Sequence, residues 1–104
     1  MEVEPILREF RNRVAKLYGK RLKAIILYGS YATGRANQDS DIDLAIVLDG
    51  NVKAGKEIDR LIDIITEINL NYSVLLSVYP VSEKDYNSLK SPLMLNMRRE
   101  GIPA

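Results

Sequence analysis

Cysteine and histidine are both absent from the 104 residues. Without them there is no thiolate nucleophile, no disulfide and no zinc site of the usual Cys/His kind, so any metal has to be held by oxygen. Long apolar runs are missing too. No stretch approaches the roughly 18 residues of a spanning helix, and the N-terminus MEVEPILREF starts acidic and turns amphipathic, so no membrane insertion is expected and the expected compartment is the cytoplasm. A surplus of one charge is also lacking: fifteen Lys and Arg face fourteen Asp and Glu, for a formal charge of +1, which argues against generic nucleic-acid binding through a broad basic field. Repeats, low-complexity tracts and linkers are not found. What is present, 46% hydrophobic and 28% charged residues, belongs to an ordinary folded protein, and the length suits one domain spanning residues 1–104.

Helix-period and strand-period segments alternate along the chain. Ile6, Phe10, Val14, Leu17 and Tyr18 mark an amphipathic helix over Pro5 to Tyr18, with Gly19 as its C-terminal stop. Ala24 to Tyr28 is a continuous apolar run, as expected of a strand covered on both faces. Ser30 to Ser40 is a polar connection with room for one helical turn directly after Gly29-Ser30. The next strand, Asp41 to Leu48, sets Ile42, Leu44, Ile46 and Leu48 on one face and Asp41, Asp43, Ala45 and Val47 on the other. After the turn Asp49-Gly50-Asn51 a helix is predicted from about Gly55 to Leu70, with a core stripe of Ile58, Leu61, Ile62, Ile65 and Ile68 and with Glu57 on another face. A third strand is predicted over Tyr72 to Val81, with Pro80 marking an edge or an end. Ser82 and Ser91-Pro92 then open two helices, the second ending at Gly101 with Arg98 and Arg99 in its last turn. The order αβ(α)βαβαα gives an α/β (α+β) fold, a small mixed sheet of about three or more strands packed with helices.

The chemistry concentrates between residues 29 and 44. Gly29, lacking a Cβ, lets the backbone turn sharply and approach a ligand, and the amides beyond it and the Ser30 hydroxyl can donate to phosphate oxygens. Asp41 and Asp43, two residues apart on a strand, put both carboxylates on one side, from which they can converge on Mg²⁺. Taken singly, a Gly-Ser pair is common in loops and an Asp-x-Asp in turns; the joint pattern is much rarer. Gly29 and Gly34 have the spacing of a P-loop, but Arg35 and Ala36 stand where Lys and Ser/Thr are required. Tyr31 is placed to stack on a base and Arg35 to touch a phosphate, although packing and a solvated loop charge explain them as well.

Gly-Ser, ten residues, then Asp-x-Asp resembles the signature of the DNA polymerase beta nucleotidyltransferase superfamily. Within it the segment is most similar to the minimal, MNT-type domains, at Gly29, Ser30, Ala32, Gly34, Ser40, Asp41, Asp43 and Leu44. The resemblance implies transfer of a nucleoside monophosphate, expected to be AMP from ATP, to a hydroxyl, with Asp41 and Asp43 as catalytic metal ligands, two Mg²⁺ ions (Mn²⁺ as substitute), and Gly29 and Ser30 holding phosphates. It also implies an antitoxin role beside an all-helical HEPN-type toxin whose tyrosine accepts the AMP. The alternatives are a nucleotide-binding regulatory subunit with little turnover and a stand-alone small-molecule transferase of the aminoglycoside type. Assembly into a homo-oligomer stays open. Superfamily members usually bring a third carboxylate from the next core strand, but no Asp or Glu lies between Glu67 and Glu83. Leu75 is the first expectation for the vacant position and Ser77 the second.

Overall fold

The computed structural model describes residues 2–104. Its elements are α1 (Glu4–Tyr18), a 3₁₀ turn (Gly19–Arg21), β1 (Leu22–Tyr28), α2 (Ser30–Thr33), β2 (Ile42–Leu48), α3 (Ala54–Tyr72), β3 (Leu76–Ser82), α4 (Glu83–Ser88), α5 (Pro92–Glu100) and β4 (Ile102–Pro103). The mixed α/β fold is the expected one. The sheet order is β3-β2-β1-β4. β2 runs antiparallel to β1 and parallel to β3, and β4 pairs antiparallel with β1.

Alternation along β2 sorts the core into two layers. Ile42, Leu44, Ile46 and Leu48 pack with Ile25 and Leu27 of β1 under α1 and α3, which contribute Phe10, Val14, Leu61 and Ile68. On the other face Ala45 and Val47 meet Ile26, Val81 and the α5 residues Met94 and Met97. Because β2 is covered on both sides, it reads as a nearly unbroken apolar run, and its polar positions, Asp41 and Asp43, fall at the end where the helices stop covering it. Pro80 sits on the edge strand, as expected. That edge is also blunted: the Leu76 amide, facing away from β2, donates to Asn69 Oδ1 at 2.9 Å, and Pro80 has no amide to offer.

Several sequence expectations shift. Helix α3 runs on to Tyr72, capped by Ser73 in the left-handed conformation at φ 53°, so β3 starts at Leu76 rather than Tyr72. In its buried stripe Ile64 replaces Ile62, which is exposed. Glu57 belongs to that stripe as well, and is 4% exposed. It accepts a 2.8 Å hydrogen bond from Tyr18 Oη, with Arg21 and Arg60 each 3.8 Å away, so the buried carboxylate is matched by a donor and two cations. Leu17, assigned to the α1 stripe, is exposed, and Leu7 is buried instead. Among the described residues no helix is long and apolar enough to cross a membrane.

Candidate functional site

The turn from β1 into α2 and the return into β2 bring Gly29 against Asp43. Gly29 has φ 69° and ψ −150°, a backbone region that is essentially reserved for glycine. A Cβ there would overlap Asp43 Oδ2, so the missing side chain is the space the carboxylate uses. The carbonyl of Gly29 accepts from the amides of Ala32 and Thr33 at 3.1 and 3.2 Å, which starts α2 and leaves the amides of Ser30 and Tyr31 without an acceptor in the helix. Gly34 ends the turn in the left-handed region at φ 75°. The chain then folds back around Asn37, whose Oδ1 accepts from the Asp39 amide at 2.8 Å and whose carbonyl accepts from the Ser40 amide at 3.1 Å. This local turn delivers Asp41 to the start of β2.

Across the sheet, Asp43 lies opposite Tyr28 of β1 and Ser77 of β3. Leu75, just ahead of β3, accepts from the Ile42 amide at 2.9 Å through its carbonyl, and the register sets it beside Asp41. The third strand therefore does lie beside the two aspartates, with Ser77 next to Asp43 and the exposed Leu75 next to Asp41. Asp41 is exposed and Asp43 half-buried. Burial, and then the charge of Asp41, push the Asp43 carboxyl above the ordinary value of 3.8, while the Ser77 hydroxyl partly offsets them by hydrogen bonding. Tyr28 is a neighbour that the sequence reading missed. Its phenol is pushed up to about 12, by burial first and then by Asp43 and Tyr79. Parity along β1 could have found it, since Tyr28 stands two residues beyond Ile26, but only with the antiparallel pairing known.

The other two sequence candidates are placed differently. Tyr31 packs partly against the core layer under α1 and α3, and its hydroxyl reaches the Asn37 carbonyl at 3.5 Å, so its ring is tied into the turn. Arg35 is exposed, with its Nε donating to Thr33 Oγ1 at 3.0 Å. Arg98, read as a helix-dipole residue, also donates to the Tyr86 carbonyl at 2.6 Å and ties α5 to α4.

Among the described residues no three Asp, Glu, His or Cys side chains gather in one place, so the site holds two carboxylates and no third. The paired carboxylates of Asp41 and Asp43 suit a magnesium-type ion, which would take its remaining ligands from water and from phosphate. Two clefts lie at the opposite end of the sheet, both lined by Asp49, Gly50, Asn51 and Lys53.

The raised pKa has a consequence for stability. A carboxyl whose folded pKa exceeds its unfolded one binds its proton more tightly when folded, so the ionised form costs stability once pH has risen through the folded pKa. In the metal-free protein Asp43→Asn is expected to raise the melting temperature at neutral pH, and the gain should vanish at pH values below the ordinary carboxyl value of 3.8. Thermal melts in EDTA across that range check this; an Asn variant that is less stable at neutral pH would show that the charge is already compensated.

A model of the nucleotidyltransferase domain matches residues 7–96. A relative in Methanocaldococcus jannaschii, named "Putative protein adenylyltransferase", is 39% identical over 87 residues, covering 84% of this chain and 81% of its own length. A second of the same name and organism is 32% identical over 77 residues, covering 74% of this chain and 77% of its own. Among solved structures, a chain of a mutant toxin-antitoxin MntA-HpeT matches with a TM-score of 0.65 at 14% identity, over 99% of this chain and 72% of its own. A chain of a toxin-antitoxin crystallised with AMP-PNP matches with a TM-score of 0.60 at 19% identity, over 88% of this chain and 69% of its own. At such identities the likeness to these structures is one of fold.

Proposed function

The chain belongs to the nucleotidyltransferase domain family, and from that premise we propose that it transfers AMP from ATP to a hydroxyl, a tyrosine of a partner HEPN-type toxin, and so acts as the antitoxin in the cytoplasm. The observation that carries this is the packing of Gly29 against Asp43, which brings a phosphate-binding turn and a paired-aspartate strand end into one place. Gly29 and Ser30 present amides and a hydroxyl to the triphosphate. Asp41 and Asp43 hold the divalent cation, for which Mg²⁺ is the fitting ion and Mn²⁺ a substitute. When bound, the metal supplies Lewis-acid stabilisation of phosphate charge and a lowered pKa for the attacking hydroxyl. The Ser77 hydroxyl hydrogen-bonds Asp43 and partly offsets the rise in its pKa, and Tyr28 lies opposite it on β1. The names of the relatives support the adenylyl group, and the fold neighbours, one of them a toxin-antitoxin with AMP-PNP, support the toxin partner.

Incubation of the protein and its partner with ATP labelled at the α-phosphate, or separately at the γ-phosphate, tests the reaction. Label from the α position in the partner, with none from the γ position, is expected; the reverse would make the reaction a phosphoryl transfer from ATP. A second reading, a nucleotide-binding regulatory subunit with little turnover, is favoured by the two-carboxylate site.

The register gives a way to separate the two readings. Ser77→Asp puts a third carboxylate beside Asp43, where it adds a metal ligand and a base. Transfer is then expected to rise by ~10-fold or more, within the range general-base contributions span. Stability is to be measured alongside, because three clustered acids repel without metal. A folded Ser77→Asp that transfers no faster than a competent wild type would show that the chemistry does not need a third acid.

A further inference from the structure

At the end of the sheet away from Asp43, the 3₁₀ turn before β1, the turn after β2 and the first two turns of α3 form a cleft of about 340 Å³. Four cationic side chains line it, Arg21, Lys53, Lys56 and Arg60, against two carboxylates, Asp49 and Glu57. Glu57 is already matched by Tyr18, Arg21 and Arg60. Arg21 is held in place: it donates to the carbonyls of Asp49 and Asn51, each at 3.3 Å, and lies over the Tyr18 ring at 5.7 Å. Lys53 and Lys56 are exposed and, among the described residues, pair with no carboxylate. Both stand at the positive end of the 19-residue α3, where cations are disfavoured, so the cleft concentrates positive charge against the local field. In a chain whose net charge is only +1, this is a local excess.

We propose that this cleft binds a small polyphosphate anion, independently of metal. Its volume is at the lower end of ligand pockets, and no exposed aromatic lines it, so it offers charge to phosphate oxygens and no platform for stacked bases. It lies roughly 20 Å from Asp43, the length of β2 at about 3.3 Å per residue. The phosphates of a nucleotide and inorganic polyphosphate share the chemistry it recognises.

The test is an NMR titration in EDTA with inorganic tripolyphosphate, and in a parallel arm with ATP, on three proteins: wild type, Asp41→Asn/Asp43→Asn, and Lys53→Gln/Lys56→Gln. Amide shifts at residues 50–57 are expected in the first two with equal affinity, and binding roughly tenfold weaker in the third, because solvent screens the two exposed lysine contacts that are lost. Tighter binding of ATP than of tripolyphosphate would assign the site to nucleotides, and equal binding to polyphosphate; both support the proposal. Shifts confined to residues 29–43, or unchanged affinity in the folded lysine variant, would overturn it. So would a single-stranded RNA that displaces tripolyphosphate from residues 50–57 and binds more tightly, since that would make the cleft a nucleic-acid surface.

Discussion

Asp41→Asn combined with Asp43→Asn is expected to abolish Mg²⁺-dependent ATP binding and transfer while leaving the protein folded. The two carboxylates are the only anionic ligands gathered at the Gly29 turn, among the described residues, so the metal would be left with neutral oxygens. Losing a residue that merely orients a metal ligand costs about 10–100-fold in metal affinity, so losing both ligands is expected to weaken Mg·ATP binding by roughly 100-fold or more. Folding should survive because Asp41 is exposed and Asp43 is only half-buried, and because neutralising Asp43 removes a charge that burial penalises. Calorimetric titration of both proteins with Mg·ATP checks this. An unchanged affinity in a folded double variant would remove the aspartates from the site.

Gly29→Ala is expected to have the second large effect, and to act on the fold and the site together. At φ 69° and ψ −150° any side chain is strained, at a cost of about 1–3 kcal/mol. The new methyl would also occupy the position of Asp43 Oδ2, so the carboxylate must turn away from its place. Gly34 provides the control. It too has positive φ, at 75°, but a Cβ there would meet nothing within 4 Å. Gly34→Ala should therefore cost only about 1–2 kcal/mol of left-handed strain and leave ATP binding intact. Melting temperatures and Mg·ATP affinities measured on both variants separate the two effects. Equal affinities in Gly29→Ala and Gly34→Ala would mean that the close approach of Gly29 to Asp43 plays no part in binding.

Where burial follows a simple period, the chain announces its structure. The alternation of Ile42, Leu44, Ile46 and Leu48 against Ala45 and Val47 foretells both core layers. Caps were legible from residue type: Ser82 and Ser91 accept hydrogen bonds from the amides of Asp85 and Met94. What stayed hidden depended on partners far along the chain. Glu57 looks like a surface residue until Tyr18 and Arg21, 39 and 36 positions earlier, are brought beside it. The extension of α3 to Tyr72 was masked by β-formers from Tyr72 onward, and its stop is a serine rather than a glycine in the left-handed region. β4 is two exposed residues long, too short for any periodicity. At the candidate site, the neighbourhood of Ser77 and Asp43 could be anticipated from strand parity, but its register required the observed parallel pairing. Tyr28 required the antiparallel one.

The central claim is that Gly29, Ser30, Asp41 and Asp43 form one metal-dependent nucleotide site, and Mn²⁺ tests it most directly. Paramagnetic broadening of backbone amides, followed while Mn²⁺ is added to the protein with ATP, locates the ion without relying on turnover. The account predicts that Gly29, Ser30, Asp43 and Ser77 lose intensity first, and that Asp41→Asn/Asp43→Asn removes the effect. Broadening centred instead on Asp49 and Glu57 at the far end of the sheet, or persisting at Gly29 in the double variant, would contradict it.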